Sequence, residues 1–337
     1  MMLLYKNIRY FSLKTLFFNF SFFLFGHSFV IAQPTALQTF PNKPIKILVG
    51  FSQGGAPDFI ARIIAQKLSE SWKQPVVVDN KVGAGGALAA QFLSTSPADG
   101  YTLLSITSSH AVLPALNSQL PYDTLKDFTG VTLTSIAPTW VLVSPSLGVK
   151  NLQELLTLAK SGVRELNYSS AGIGSFMHFS GELFKEATGI NAVHIPYRGP
   201  SEAIIETASG RIDFVLSPIG ASSGLVKEGK LIAINVTGKE RIAEFPMVPT
   251  LAESGLPGFY LTTFTGLIAP GKTPPVLIDK LSQEIGRILA LPDVKTKLKA
   301  FGVDSTSSSG EEFDKMIAEK VATFSKTAKL ANLIKGM

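Results

Sequence analysis

The residues best placed to do chemistry in this chain are glycines rather than acids or bases. Gly54-Gly55-Ala56-Pro57-Asp58 follows the apolar, β-branched run 45–49 and precedes a stretch with Ile60, Ile63, Ile64 and Leu68 on one face. That pattern reads as a buried strand, a tight turn and an amphipathic helix over 59–71. Glycines let the backbone come close to a ligand. The first N–H groups of a helix have no internal partner, and the helix dipole favours negative charge there. The chemistry on offer is therefore capture of an anion.

One such unit is ordinary α/β punctuation, but the pattern recurs. Residues 76–80 lead into Gly83-Ala84-Gly85-Gly86 and a helical run over 87–93. Residues 166–170 lead into Ala171-Gly172-Ile173-Gly174-Ser175 and a helix through Leu183 and Phe184. Three strand–glycine–helix units predict several helix N-termini converging on one site.

Side chains near these turns have competing roles. Asp58 is expected chiefly as a cap for the 59–71 helix. Thr107 and Ser108 end the strand 101–107, where open α/β sheets place ligands; capping of the short helix 111–116 is an equal alternative. Ser170 and Ser175 flank the third set of glycines. Arg198, after Tyr197, is the one cation in these motifs suited to pairing with a carboxylate; a solvated rim charge is its alternative. Asp213, His178 and His194 read as structural, and the role of His110 stays open. No Gly-x-Ser-x-Gly elbow, Walker motif or His-Glu-x-x-His helix is present, and no acids pair in the glycine loops as an acid–base couple. A hydrolase or lyase is thus the weaker reading. With no Cys there is no disulfide, thiol nucleophile or thiolate metal site, and neither metal nor cofactor is expected.

The elements that must position these residues alternate. Strands are expected at 45–49, 76–80, 101–107, 139–144, 166–170, 192–196, 213–216, 231–236 and 262–269. Helices fall between them, with one at 152–159 and one at 201–209. A long helix starts at Pro274, with Leu277, Leu281, Ile285, Ile288 and Leu289 on one face, and a last one follows Gly310. Residues 305–309 read as a loop. This is α/β architecture, and 337 residues are enough for two domains.

The first residues differ in kind. Lys6, Arg9 and Lys14 precede an apolar, Phe-rich run over 16–25, and Val30 and Ala32 supply small residues at a cleavage site. Residues 1–32 are therefore expected to be a signal peptide removed after Ala32, rather than a retained anchor. Three of the 31 Lys and Arg residues and none of the 25 acids lie there, so the rest carries 28 cations against 25 acids. That balance, without a basic stripe interleaved with aromatics, argues against nucleic acid.

Eight short motifs in order resemble one family. They are Lys43-Pro44-Ile45-Lys46, Gly54-Gly55-x-x-Asp58, Gly83-Ala84-Gly85-Gly86, Ala98-Asp99-Gly100-Tyr101-Thr102-Leu103-Leu104, His194-Ile195-Pro196-Tyr197-Arg198-Gly199, Gly210-Arg211-Ile212-Asp213, Pro249-Thr250-Leu251-Ala252-Glu253-Ser254-Gly255 and Ala269-Pro270-Gly271-x-Thr273-Pro274. Together they resemble the Bug family, the solute receptors of tripartite tricarboxylate transporters. The resemblance implies a two-domain periplasmic binding protein of the Venus-flytrap type, type II-like. Each domain would be a mixed sheet flanked by helices, joined by two hinge crossings. Domain 1 would be 40–140 plus 263–337 and domain 2 would be 141–262. The protein would be a periplasmic monomer that binds a small organic acid without transforming it, and its partners would be membrane permease subunits. A sensory role, presenting the closed form to a membrane sensor, would use the same ligand-driven closure.

On this resemblance the ligand-binding set is Phe51, Gly54, Gly55, Asp58, Gly85, Gly86, Ala87, Thr107, Ser108, Ser170, Gly172, Ser175, Phe176, Tyr197 and Arg198. Amides of Gly54-Gly55 and Gly85-Gly86 would hold a carboxylate from domain 1, aided by ordered waters. Ser170, Gly172 and Ser175 would approach from domain 2. The chain departs from the family where Ala87 replaces a common Asn, and where Phe176 and Met177 replace small or polar residues. Those changes imply a less polar acid than citrate, aromatic acids included, unless Phe176 points into the core.

Overall fold

The computed structural model describes residues 40–330 and 333; the expected leader, 1–32, lies outside them. In chain order the elements are β1 (Ile45–Val49), α1 (Ala56–Trp72), β2 (Val76–Asn80), α2 (Ala87–Ser94), β3 (Thr102–Thr107), α3 (Ser109–Leu116) and β4 (Phe128–Val143). Then come α4 (Leu152–Lys160), β5 (Leu166–Ser170), α5 (Phe176–Thr188), β6 (Ala192–Pro196), α6 (Pro200–Ala208), β7 (Phe214–Pro218), α7 (Ile219–Lys227) and β8 (Ile232–Val236). The chain returns through β9 (Thr262–Pro270), α8 (Pro275–Ala290), α9 (Pro292–Ala300), β10 (Asp304–Ser305) and α10 (Gly310–Leu330).

The strands run in the order β2-β1-β3-β9-β4-β7-β5-β6, with β8 and β10 also pairing to β4. β1 is parallel to β2 and β3, and β5 is parallel to β6 and β7. β9 and β4 are the antiparallel seam. The mixed sheet falls into two lobes because β4 changes partners along its length. From Phe128 to Pro138 it pairs with β9; from Thr139 to Val143 it pairs with β7. The returning chain crosses beside it. Thr139 and Thr237 share a 2.8 Å hydroxyl hydrogen bond, the Thr237 N–H donates to Thr139 O at 2.8 Å, and the Leu261 N–H donates to Thr237 O at 3.0 Å. These are the two hinge crossings.

The sequence reading placed a strand only at 139–144, and the structure extends it back to Phe128. The first part of β4 alternates Val131 and Leu133 with Thr132 and Thr134, a strand pattern the sequence reading passed over, and Thr132, Thr134 and Ser135 are buried as well as the apolar residues. Their hydroxyls are satisfied: Thr134 and Ser135 each reach Thr265 Oγ1 at 2.7 Å, and Thr132 donates to Ser308 O at 2.8 Å. The 59–71 helix starts three residues early, at Ala56, with Gly55 as N-cap. Pro57 fits a first helical turn, so Asp58 stands inside the helix, and no side chain caps it.

Apolar faces close the lobes as the spacing requires. In lobe 1, Ile60, Ile64 and Leu68 of α1 and Leu281, Ile285 and Ile288 of α8 pack on Ile45, Ile47 and Val49 of β1. In lobe 2, Trp140, Leu142, Val215 and Ile204 form a second cluster, and the Trp140 indole N–H donates to Ser222 Oγ at 2.8 Å. Phe313 of α10 is fully buried against Gly130 and Gly266, edge-on to Phe264 at 5.9 Å. Neither glycine offers side-chain atoms to fill the space Phe313 occupies. Phe313→Ala should therefore cost about 3–5 kcal/mol in urea unfolding; a loss below about 1 kcal/mol would show that α10 is not locked by this ring.

Candidate functional site

The turn after β1 is built around Asp58. Its carboxylate accepts the Gly54 N–H at 3.2 Å, Arg62 Nε at 3.0 Å and Nη2 at 2.9 Å, and Asn80 Nδ2 at 3.0 Å. Asn80 Nδ2 also donates to Phe51 O at 2.9 Å. Burial alone would raise the Asp58 pKa. The hydrogen bonds from Arg62, Asn80 and Gly54 together outweigh it and hold the carboxyl below its ordinary value. Asp58 is thus turned into the fold, with its charge committed to the shape of the Gly54-Gly55 turn.

The second loop, Gly83 to Gly86, is tightly coiled. Gly85 and Gly86 have φ of 62° and 101°, and Ala84 shares the left-handed region at 47°, which is uncommon for a residue with a side chain. At the end of β3, the Ser109 N–H donates to Thr107 Oγ1 at 3.2 Å. Ser108 faces the other way. Its N–H donates to Phe264 O and its Oγ accepts the Phe264 N–H, at 3.1 and 2.9 Å.

From lobe 2, Ser175 caps α5 by accepting the His178 N–H at 3.1 Å. The Phe176 N–H then crosses to lobe 1, donating to Ser109 Oγ at 2.9 Å. The lobes meet through main chain. A Cβ on Gly85 would fall 2.7 Å from Ile173 O and 2.9 Å from Ser175 N; one on Gly55 would fall 2.9 Å from Pro200 Cγ; one on Gly199 would strike Ser52. The cleft is closed, and only glycine permits so close an approach at these points.

Between the lobes lies a cavity of about 50 Å³. The first turns of α1 (Ala56, Pro57), α5 (Phe176, Met177), α6 (Pro200) and α7 (Gly220, Ala221) all reach it, with Thr107 at the end of β3 and Ser109 at the start of α3. Phe51 and Ala171 close it, and its hydroxyls come from Thr107, Ser109, Ser135, Thr263 and Thr265. A crevice of about 430 Å³ lies nearby, lined by Gly50, 82–85, Ala171, Gly172, Tyr197 and Arg198. Among the described residues no carboxylate lies within ion-pair distance of Arg198. Nor does any cluster of three or more His, Asp or Glu there suit a metal.

The structure brings Phe51, Thr107 and Phe176 to the cavity, and Gly85, Gly172, Tyr197 and Arg198 to the crevice. Gly54, Gly55 and Ser175 sit at the lobe contact. It turns the others away. Asp58 and Ser108 face inward as described. Ala87 packs in the core with Leu48 and Leu93. Gly86 backs onto the Phe51 ring, and Ser170 Oγ is engaged with His194 Nε2 at 2.6 Å. Phe176 does both things considered for it, since it lines the cavity and also packs against Phe324 at 5.9 Å. Sequence reasoning passed over Ser109, Thr263, Thr265 and the start of α7. Pro218-Ile219-Gly220 after a strand was a fourth strand–glycine–helix signal, and Thr263 and Thr265 show the period-2 spacing of one strand face.

Two outcomes follow. Spin labels on Q91C and I205C, clean because the chain lacks Cys, should report a longer interlobe distance in Gly85→Ala than in the parent; an unchanged distribution would mean the lobes do not close on this glycine. Asp58 stabilises the fold above its ordinary value of 3.8 and loses that contribution as pH falls through its lowered folded value. Asp58→Asn should therefore lower stability at neutral pH by about 1–3 kcal/mol and flatten the acid limb of the unfolding profile; an unaltered acid limb would contradict the assignment.

Residues 60–333 match the tripartite tricarboxylate transporter family receptor. BugT of Bordetella pertussis is 32% identical over 293 residues, which cover 86% of this chain and 90% of BugT. The R. palustris protein Rpa4515, solved with adipate, is 31% identical with a TM-score of 0.83 over 87% of this chain and 98% of its own. MatC of Rhodopseudomonas palustris, solved with bound malate, is 30% identical with a TM-score of 0.80 over 86% and 99%. The chain belongs to the Bug family, the solute-binding receptors of tripartite tricarboxylate transporters.

Proposed function

We propose that this receptor captures a small organic carboxylate in the periplasm and presents it to the membrane permease subunits of a tripartite tricarboxylate transporter. The observation that carries the reading is the convergence of four helix N-terminal turns, together with the start of α3, on one interlobe cavity. The dipoles of these helices favour an anion without a cationic side chain in the lining, while Pro57 and Pro200 bring no N–H and the Phe176 N–H is given to Ser109 Oγ. As a member of a receptor family the chain binds its solute and does no chemistry on it. Adipate and malate in two structural relatives support a carboxylate as the ligand class.

The lining favours a less polar acid than citrate. Phe51, Pro57, Phe176, Met177, Pro200 and Pro218 present mostly carbon. A cavity of about 50 Å³ suits a compact ligand better than one with three carboxylates. The lobe division is 40–140 plus 263–337 and 141–262, within two residues of the point where β4 leaves β9 for β7 at Thr139. The mature protein starts at Gln33 and acts as a monomer. A thermal-shift series with citrate, adipate, malate, benzoate and pyridine carboxylates, confirmed by calorimetry, tests the reading. A compact mono- or dicarboxylate or an aromatic acid should raise Tm while citrate does not. Stabilisation by citrate alone would overturn the proposed specificity, and stabilisation by none, with an uncharged solute bound instead, would overturn the ligand class.

A further inference from the structure

The lobe-2 loop from Ala171 to Ser175 carries the main-chain groups that meet Gly85 across the cleft, and inside it the Ser175 N–H donates to Gly172 O at 3.1 Å. Gly172 and Gly174 both have positive φ, and Ile173 is 53% exposed. The loop is held from beneath by a stack of three rings. The Tyr168 ring of β5 lies on the His194 ring of β6 at 4.9 Å and 25°. His194 lies in turn on the His178 ring of α5 at 4.1 Å and 23°. Tyr168 is anchored below by its hydroxyl, which donates to Glu182 Oε1 at 2.6 Å, and Lys185 Nζ donates to the same carboxylate at 2.9 Å.

Each histidine touches the loop differently. His194 Nε2 meets Ser170 Oγ at 2.6 Å, and that oxygen accepts the Gly172 N–H at 3.1 Å. A hydroxyl can donate or accept, so this link survives either charge state of His194. The other link does not. His178 Nδ1 accepts the Gly174 N–H at 3.3 Å, which requires an unprotonated Nδ1.

We propose that His178, braced by His194 and Tyr168, is a positioning residue for the ligand loop, and that its neutral imidazole latches Gly174 while its protonated form releases it. That the loop serves ligand capture rests on the function proposed above; the latch itself does not. The groups facing the ring fit a neutral state. Burial lowers the pKa of His178, Lys185 lowers it further and Glu182 opposes them. Burial likewise pushes His194 down to about 3, so no second cation sits against the first ring at neutral pH. A base lowered by the fold stays neutral as pH passes the free value of 6.5, and the latch opens only as pH falls through the lowered folded value.

The test is amide hydrogen exchange at Gly172 and Gly174 in the ligand-free mature protein, corrected for intrinsic rate, so it needs no knowledge of the ligand. His178→Asn keeps an acceptor at the Nδ1 position without a titrating group, and His178→Phe keeps the stack without the acceptor. In the parent, Gly174 protection should fall at least about fivefold between pH 7 and a pH below the His178 transition, read from the imidazole's own NMR titration, while Gly172 protection holds. His178→Asn should retain Gly174 protection at both pH values. His178→Phe should lose it at pH 7 with Gly172 unchanged. Gly174 protection that is pH-independent in the parent, or that falls equally in the parent and in His178→Asn, would overturn the latch. If His178→Phe fails to fold, the comparison of parent with His178→Asn decides alone.

Discussion

Burying a negative charge between two lobes requires compensating positive ends that are fixed before the ligand arrives. On the function proposed above, this molecule would supply them from helix ends and main chain, with Arg198 of the neighbouring crevice the one cation among the described residues lining either space. Each of four helices begins at the interlobe cavity, with the start of α3 beside them, and each is aimed there by the strand it follows. The arrangement demands that backbones come very close. That is why the turns are glycines, why Ser52 faces a residue without a side chain at 199, and why Gly85 fits against the carbonyl of Ile173. Asp58 holds the shape of the first turn and takes the Gly54 N–H for itself, so that amide, expected from the sequence to meet a carboxylate, is spent within the fold.

The hinge follows from a strand long enough to belong to both lobes. β4 gives its first part to β9 and its second to β7, and Thr237 stitches the change of partner to the returning chain at Leu261. Threonines suit this place because their hydroxyls bond across the crossing where ladder hydrogen bonds change partner. The lobes also meet beyond the hinge, since one apolar cluster runs through both and Phe324 of α10 packs on Phe176 and Phe179 of α5.

Much of this was legible in the residues. The apolar runs at 45–49 and 231–236 and the stripe from Leu277 to Leu289 are strong periodic signals, and the elements stand where the spacing puts them. The glycine turns pointed to a main-chain site, and eight weak motifs in order identified the family. What was hidden was hidden for physical reasons. The first part of β4 buries hydroxyls that pair with Thr265 and with the segment before α10, so the short alternation of Val131 and Leu133 with threonines reads as half-polar, and the strand's length is set by its pairing with β9. Thr107 and Ser109 reach the cavity while Ser108 bonds to β9, because the chain turns into α3 there; a one-residue rotation of that kind is set by the tertiary partner Phe264. Ala87 and Ser170 carry the right kind of neighbours but face the core, and local sequence does not encode which way a residue beside a turn will point.

The central claim is that the cavity selects for negative charge through amides and helix ends. Paired calorimetric titrations of a stabilising carboxylate and its primary amide test it most directly, because the two differ little in shape. The acid should bind at least about tenfold more tightly than the amide. Equal affinities would contradict the account, since they would mean that shape and carbon contacts alone hold the solute.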